Sequence, residues 1–98
     1  MSTNLNIKLK YIHCRNIKDG SVMGKGGMTI AYAVNQDNKV LGYAGAKCHS
    51  NDNYNKKIGR AKATGRMKSA TYYQECPELD EKTFINSTLT GYQKAFNE

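Results

Sequence analysis

A run of basic side chains in the second half of this sequence is the part best suited to chemistry. Between positions 53 and 74 the chain contains no Asp or Glu but six cations, which are Lys56, Lys57, Arg60, Lys62, Arg66 and Lys68. Like charges four residues apart, as at Lys62 and Arg66, share a helix face and destabilise the helix slightly. The first turn of a helix also has unpaired backbone N–H groups and the positive end of the helix dipole. The pattern therefore predicts a helix whose start binds an anion.

Polar and aromatic residues at the start of this helix have the types that a nucleotide site needs. Tyr54 could stack on a base while Asn53 hydrogen-bonds to the edge of that base. Lys57, Arg60 and Arg66 could hold phosphates, the arginines through their two-pronged geometry. Two other interpretations are open. Tyr54 could pack at the helix N-terminus as an ordinary staple residue, and the cations could form a solvated face.

Two Cys–His neighbours raise the alternatives of a metal site and of a nucleophile. His13 with Cys14 and Cys48 with His49 offer thiol and imidazole ligands for zinc, but neither pair has the spacing of zinc modules. Cys48, His49 and Asn51 are the residue types of Cys–His catalysis, yet adjacent residues on a strand point to opposite faces. We therefore expect no metal site, no catalytic residue, no cofactor and no enzyme activity.

The elements that must position these residues begin with a strand. Apolar and polar residues alternate from position 4 to position 11, and the apolar set is Leu5, Ile7, Leu9 and Tyr11. This alternation is typical of a strand with one buried face. The strand is predicted to fade near Cys14 or Arg15, and Asp19 with Gly20 then marks a turn.

A glycine-rich segment follows at Gly24, Gly26 and Gly27. It lies beside Lys25 but lacks the glycine-to-lysine spacing of a phosphate loop. A mobile hairpin connection is the better interpretation.

Two further alternating stretches, residues 28–35 and 40–48, are predicted to pair as antiparallel strands across a short turn-rich segment. One face of the second stretch is small and consists of Val40, Gly42, Ala44, Ala46 and Cys48. We expect the basic helix to approach this face closely, because it carries small residues of its own at Gly59, Ala63 and Ala70.

The helix limits follow from capping and proline signals. The basic helix is predicted to start at an N-cap on Asn51 or Asp52 and to end just before Pro77. A last helix is predicted from Leu79 or Asp80 to about position 97. Its apolar side, which packs in the core or at a dimer interface, consists of Phe84, Ile85, Leu89, Tyr92 and Phe96.

Length and composition place these elements in one domain, residues 1–98, of the α+β class. The domain is predicted to have a small antiparallel sheet of three or more strands followed by two C-terminal helices. The chain has no Trp and a mean hydropathy of −0.71, so a face buried against a second copy would add stability. We expect a homo-oligomer, either a dimer or a higher assembly such as a hexamer.

The charge excess indicates an anionic partner. The net charge is +7, and up to position 74 the chain has 13 Lys and Arg against 3 acidic residues. Three widely spaced cysteines favour reduced thiols over a disulfide framework. No signal peptide or membrane-length apolar run is evident. We therefore expect a cytoplasmic protein without a membrane partner.

Residues 40–68 contain four short motifs, which are Ala46-Lys47-Cys48, Asp52-Asn53-Tyr54, Lys57-Ile58-Gly59-Arg60 and Gly65-Arg66. They correspond to a strand ending in Cys, an aspartate–aromatic turn and a Lys-x-Gly-Arg helix. In these motifs the chain resembles the first family of Thoeris anti-defence proteins, which are encoded by phages. Tyr54 stands where the family more often has Phe.

This resemblance implies a sponge for immune signals. Members of the family capture cyclic ADP-ribose isomers, made by a host immune enzyme, in pockets between protomers without hydrolysing them. Some members also hold cyclic oligonucleotides. The matching ligand-binding positions here are Asp52, Asn53, Tyr54, Lys57, Arg60 and Arg66, and the expected location is the host cell cytoplasm.

Two rival functions use the same residues. In a nucleic-acid-binding protein the basic helix would lie along a phosphate backbone, which would give a steep dependence on salt. In an inhibitor of a host defence protein the target would be a protein surface, and a stoichiometric partner would be recovered with the chain.

Overall fold

The computed structural model describes residues 7–69 and 74–97, without the side chains at positions 50, 74–78 and 97. These residues form β1 (Lys8–Cys14), β2 (Ile17–Lys18), β3 (Ser21–Val22), β4 (Lys25–Val34), β5 (Lys39–Asn53), α1 (Lys56–Met67), β6 (Gln74–Asp80) and α2 (Glu81–Asn97). Four strands make an antiparallel sheet in the order β1-β4-β5-β6, and β2 pairs with β3 in a separate hairpin. The predicted α+β class, with an antiparallel sheet and two helices in the C-terminal half, is confirmed.

Tight turns connect the strands where the sequence predicts them. Asp19 and Gly20 have φ of 54° and 78°, the left-handed pair of a two-residue hairpin turn, between β2 and β3. Between β4 and β5, Asn35 Oδ1 accepts the backbone N–H groups of Asp37 and Lys39 at 2.9 and 3.0 Å. Both predicted turns and the antiparallel pairing of β4 with β5 are confirmed.

One face of the sheet packs against α2 and forms the main core. Its buried residues are Ile12, Cys14, Ile30, Tyr32, Val34, Val40 and Phe84. Phe84 comes from α2, and its ring centroid lies 5.2 Å from that of Tyr32 and 5.4 Å from that of Tyr43. The Tyr32 hydroxyl donates to Glu81 Oε2 at 2.7 Å and so ties the start of α2 to the sheet. The predicted core role of the apolar side of α2 is confirmed at Phe84, whereas Leu89 is exposed.

The first strand buries different residues from those predicted. Ile7 and Leu9 are 44% and 39% exposed, and Leu5 lies outside the described residues. Tyr11 is half-buried, while Ile12 on the opposite face is fully buried. The physical reason is that α1 packs on the face of Tyr11, where the Tyr11 hydroxyl lies 2.7 Å from Thr64 Oγ1, and ends three residues later at Met67.

The other face of the sheet is small where α1 crosses it, as predicted. Ala31 and Ala46 of the sheet and Ala63 of α1 form a second buried cluster. A Cβ added at Gly59 would overlap Thr29 Oγ1 and lie 3.0 Å from Thr29 Cβ. Only glycine therefore allows this distance between helix and sheet, and the predicted close approach is confirmed.

The basic helix starts later than predicted. β5 continues to Asn53, and the N-cap is Asn55, whose Oδ1 accepts the N–H of Ile58 at 3.0 Å. The predicted N-caps, Asn51 and Asp52, are therefore wrong. Both positions lie inside β5, which resumes its pairing with β4 at Asn53 before the helix can begin.

The basic helix also ends sooner than predicted. It stops at Met67, and β6 runs through Pro77 at the edge of the sheet, where a missing backbone N–H is tolerated. Ala70 and Tyr73, which were predicted to extend the apolar stripe of this helix, lie outside the described residues. α2 begins at Glu81, close to the predicted start. Neither of the two described helices is long and apolar enough to cross a membrane.

Candidate functional site

A four-residue bulge in β5 shapes the site. β4 and β5 pair at Gly27 with Cys48 and again at Lys25 with Asn53. One residue separates the two pairs on β4, but residues 49–52 separate them on β5. We call residues 49–52 the β5 bulge. The polar turn that the sequence predicts before the helix is thus a bulge within a strand. The strand pairs with β4 again at Asn53.

Tyr54 anchors the junction between β5 and α1. Its hydroxyl lies 2.6 Å from Thr29 Oγ1 and 2.7 Å from His13 Nδ1, and its backbone N–H donates to Gly24 O at 2.8 Å. The guanidinium carbon of Arg15 lies 4.5 Å from the ring centroid, a cation–π contact. Arg15 therefore covers one face of the ring and closes that face to a base. These contacts favour the interpretation of Tyr54 as a packing residue at the helix start.

The glycine-rich segment lies against Tyr54. Gly26 and Gly27 belong to β4, are buried, and have φ of 75° and 116°. A Cβ added at Gly27 would lie 2.7 Å from the Tyr54 ring and 2.8 Å from Cys14 O. The prediction of a loop connection is therefore wrong at Gly26 and Gly27, which are buried strand residues. Glycine is needed here for close packing and for a left-handed backbone conformation.

A cleft of about 320 Å³ lies between β5 and the start of α1. We call it the α1 cleft, and it is lined by Thr29, Ala46, Lys47, Cys48, His49, Asp52, Asn53, Tyr54, Asn55, Ile58, Gly59 and Lys62. Lys47 and Lys62 provide positive charge, and Ala46 and Ile58 provide an apolar wall. The volume is at the lower end of the range for small-molecule sites. The cleft can therefore hold one compact polar ligand.

The start of α1 adds positive potential beside the cleft. Its first turn contains no acidic residue, and the Asn55 side chain caps the N–H of Ile58. The backbone N–H groups of Lys56 and Lys57 belong to the turn that has no acceptor within the helix. Together with the helix dipole, these groups favour a negatively charged ligand.

Three of the six predicted binding residues line the cleft, and these are Asp52, Asn53 and Tyr54. The structure does not place Lys57, Arg60 or Arg66 in its lining. Lys57 and Arg60 are exposed on other flanks of α1, and Arg66 Nη1 donates to Gly45 O at 3.0 Å. The contact of Gly59 with the sheet sets the rotation of α1 about its axis, and this rotation decides which cations face the cleft.

The predicted binding residues leave out nine residues of the lining, among them Lys47, Lys62 and Thr29. Lys62 lies one turn after Ile58, and both share a helix flank with Asn55. Once the structure shows which flank of α1 faces the cleft, this helical spacing identifies Lys62 as a cleft residue. Lys47 and Thr29 come from neighbouring strands, and no pattern within either strand marks them as site residues.

Burial and nearby cations lower the pKa of His13. Burial is the larger cause, followed by the charges of Lys56, Arg60 and Arg15. His13 is therefore neutral at pH 7, and its Nδ1 can accept a hydrogen bond from the Tyr54 hydroxyl. Burial raises the pKa of Tyr54, so the phenol keeps the proton that this hydrogen bond needs.

The Cys–His neighbours are separated by the fold. Cys14 is buried on the α2 side of the sheet, whereas His13 faces α1. Cys48 Sγ lies 3.5 Å from a backbone carbonyl oxygen of the β5 bulge, and His49 Nδ1 accepts the N–H of Asn51 at 3.1 Å. No group of three His, Cys, Asp or Glu side chains among the described residues is placed to hold a metal ion.

The fold and the cleft together define a small α+β domain with a polar, positively charged cavity at a helix start. Comparison of the chain with protein-family models, with curated proteins and with solved structures finds no match.

Proposed function

We propose that this chain is a non-enzymatic sponge that captures a small phosphate-bearing nucleotide in the α1 cleft. In a phage-infected cell its ligand would be a cyclic nucleotide immune signal, such as a cyclic ADP-ribose isomer, in the host cytoplasm. The observation that carries the proposal is the composition of the cleft. It combines two lysines, the start of an acid-free helix and an apolar wall in one concave site.

The charge of the cleft supports a phosphate ligand. The ion pairs found in the described part of the chain are Lys10–Glu81 and Lys39–Asp80, and neither involves Lys47 or Lys62. Lys62 and Lys47 can therefore donate to phosphate oxygens without breaking an internal ion pair. Asp52, the carboxylate in the lining, is suited to accept a hydrogen bond from a ribose hydroxyl or a base amino group.

The apolar wall supports a nucleotide over a simple anion. Ile58 is 53% exposed at the rim of the cleft, and Ala46 lies in its lining. A base could pack on this wall while Asn53 hydrogen-bonds to its edge. Tyr54 would hold the shape of the cleft, because its hydroxyl and one ring face are already occupied.

A second copy of the chain would complete the site. The exposed Ile58 at the rim is an apolar group that a partner subunit could cover, which would enclose the ligand between protomers. The proposed assembly is thus a homo-oligomer, a dimer or larger, with the α1 cleft at its interface. Native mass spectrometry of protein from cells with an active signalling system reports subunit number and retained ligand together.

The binding experiment compares two lysines of one helix. Isothermal titration with cyclic ADP-ribose isomers is expected to show that Lys62→Gln weakens binding about tenfold, the effect of ~1.4 kcal/mol. Lys57→Gln removes the same charge outside the cleft and should leave the affinity nearly unchanged. Equal losses in both variants would contradict a site in the cleft.

A release experiment separates a sponge from an enzyme. The chain is incubated with ligand, freed of excess ligand and heated, and the released molecule is analysed by chromatography. The sponge proposal expects the ligand to return unaltered. Recovery of a hydrolysed or rearranged product would refute it.

Nucleic-acid binding is the second candidate, favoured by the exposed outer side of α1. Lys57 and Lys68 are exposed there and present their charges to solvent. Binding to single-stranded DNA across salt concentrations would then show a log–log slope of about −0.7 per phosphate contact. A ligand enclosed in the α1 cleft should instead be selected by its base.

A further inference from the structure

A second group of cations faces the opposite flank of α1, toward β1. Lys56, Arg60 and Thr64 follow one another at intervals of four residues and so form one stripe along the helix. Thr64 Oγ1 lies 2.7 Å from the hydroxyl of Tyr11, which is on β1. This contact fixes the stripe against β1, on the other side of the helix from the α1 cleft.

The spacing of helix and strand aligns the remaining members of the stripe. β1 runs parallel to β5, because each is antiparallel to β4, and α1 returns in the opposite direction across them. Four helix residues advance about 6 Å, and two strand residues advance about 6.6 Å. With Thr64 beside Tyr11, this spacing brings Arg60 to the level of His13 and directs Lys56 toward the end of β1, where Arg15 follows Cys14. Burial is the first cause that lowers the pKa of His13, and the additional lowering by the charges of Lys56, Arg60 and Arg15 agrees with this alignment.

Arg15 is held in this groove before any ligand arrives. Its Nη2 donates to Met23 O at 3.1 Å, and its guanidinium packs on the Tyr54 ring. Its Nε is buried without a hydrogen-bond acceptor. The groove therefore has more hydrogen-bond donors than acceptors. The contacts that order Arg15 leave its positive charge uncompensated.

We propose that the groove between α1 and β1 is a second anion site, which holds a phosphate group on Arg15, Lys56 and Arg60. Neither of the ion pairs in the described residues involves these three side chains. A carboxylate would compensate one of the three charges, whereas a phosphate or pyrophosphate group compensates two or more. Arginine also matches phosphate oxygens with paired N–H donors. His13, being neutral, adds no repulsion at pH 7 and can contribute a further hydrogen bond.

The test uses inorganic pyrophosphate as the probe and His13 as the reporter. NMR titration of the His13 ring nitrogens is expected to show saturable binding and a rise in the His13 pKa, because a bound anion stabilises the imidazolium. The groups that face His13 are Tyr54, Thr29, Arg15, Lys56 and Arg60. Arg60→Gln and Lys56→Gln are each expected to weaken pyrophosphate binding about tenfold or more.

Two matched variants make the outcome specific. Lys57→Gln removes one charge from the same helical turn but outside the groove, and it should keep both the pyrophosphate binding and the rise in the His13 pKa. Loss of binding in Lys57→Gln equal to that in Arg60→Gln would mean diffuse attraction and would overturn the proposal. If only Lys62→Gln lost pyrophosphate binding, the pyrophosphate would lie in the α1 cleft, and this result would also overturn the proposal.

A final arm identifies the source of the phosphate. Free AMP and a short single-stranded DNA are titrated in parallel with the same variants. The proposal expects AMP to shift His13 and to lose affinity in Arg60→Gln. Binding of the DNA alone, with no response of His13 to pyrophosphate or AMP, would refute a built phosphate site. Circular dichroism of each variant checks that the exposed substitutions leave the fold intact.

Discussion

Replacing Gly59 by alanine tests the packing that positions the α1 cleft. The added Cβ would overlap Thr29 Oγ1, and Thr29 is fully buried and hydrogen-bonded to Tyr54. The helix must therefore shift away from the sheet, or Thr29 must give up its rotamer and its hydrogen bond. Gly65→Ala is the matched control, because a Cβ at Gly65 has no atom within 4 Å.

The two substitutions are expected to change stability in opposite directions. Overpacking at Gly59 costs about 1–3 kcal/mol, while the helix propensity of alanine returns up to about 1 kcal/mol. The net expectation for Gly59→Ala is a loss of about 1–2 kcal/mol. At Gly65 only the propensity gain applies, so the expected change is a stabilisation of about 0.5–1 kcal/mol.

Urea unfolding followed by circular dichroism measures both effects. The protein concentration is kept constant, because association would make the midpoint depend on it. In thermal unfolding, each kcal/mol corresponds to roughly 4–8 °C for a domain of this size. If Gly59→Ala were as stabilising as Gly65→Ala, the close contact of α1 with Thr29 would be refuted, and with it the rotation of α1 that defines the cleft.

Two further predictions concern the surroundings of Tyr54. Burial lowers the pKa of His13 in the folded state below the unfolded value of 6.5, so the unfolded chain binds the proton more readily. The free energy of unfolding should therefore fall as the pH drops below about 6.5. In urea titrations at several pH values, His13→Gln should reduce this pH dependence. Gly27→Ala should destabilise the fold by about 2 kcal/mol or more, because it adds a side chain at positive φ against the Tyr54 ring, whereas Gly24→Ala, with open space around it, should have little effect. An unchanged urea midpoint for Gly27→Ala, or a pH profile that His13→Gln leaves unaltered, would contradict these contacts.

Patterns that act over a few residues predicted most of the elements correctly. Alternation marked β4 and the first part of β5, and Asp19-Gly20 marked the turn that joins β2 to β3. The apolar period of α2 predicted the burial of Phe84. These signals depend on strand pleat, helical turn and turn stereochemistry, all of which are local properties of the chain.

Predictions failed where a distant segment supplies the partner. Residues 74–80 form β6 only because they pair with β5, and the Pro77 signal indicated a helix end instead. Gly27 is buried because Tyr54, distant in sequence, packs on it. A flexible loop and a tightly packed strand can have the same glycine-rich sequence, and only the tertiary contact distinguishes them.

The site divides in the same way between sequence and structure. The sequence by itself determined that a helix without acidic residues, preceded by Asp52, Asn53 and Tyr54, would concentrate positive charge at its start. Tertiary structure decided the flank on which each cation lies. Lys62 faces the cleft and Arg60 faces β1 because Gly59 seats the helix on Thr29 at one rotation. Each helical residue turns the chain by about 100°, so the packing contact, and not the order of charges, distributes the cations between the two grooves.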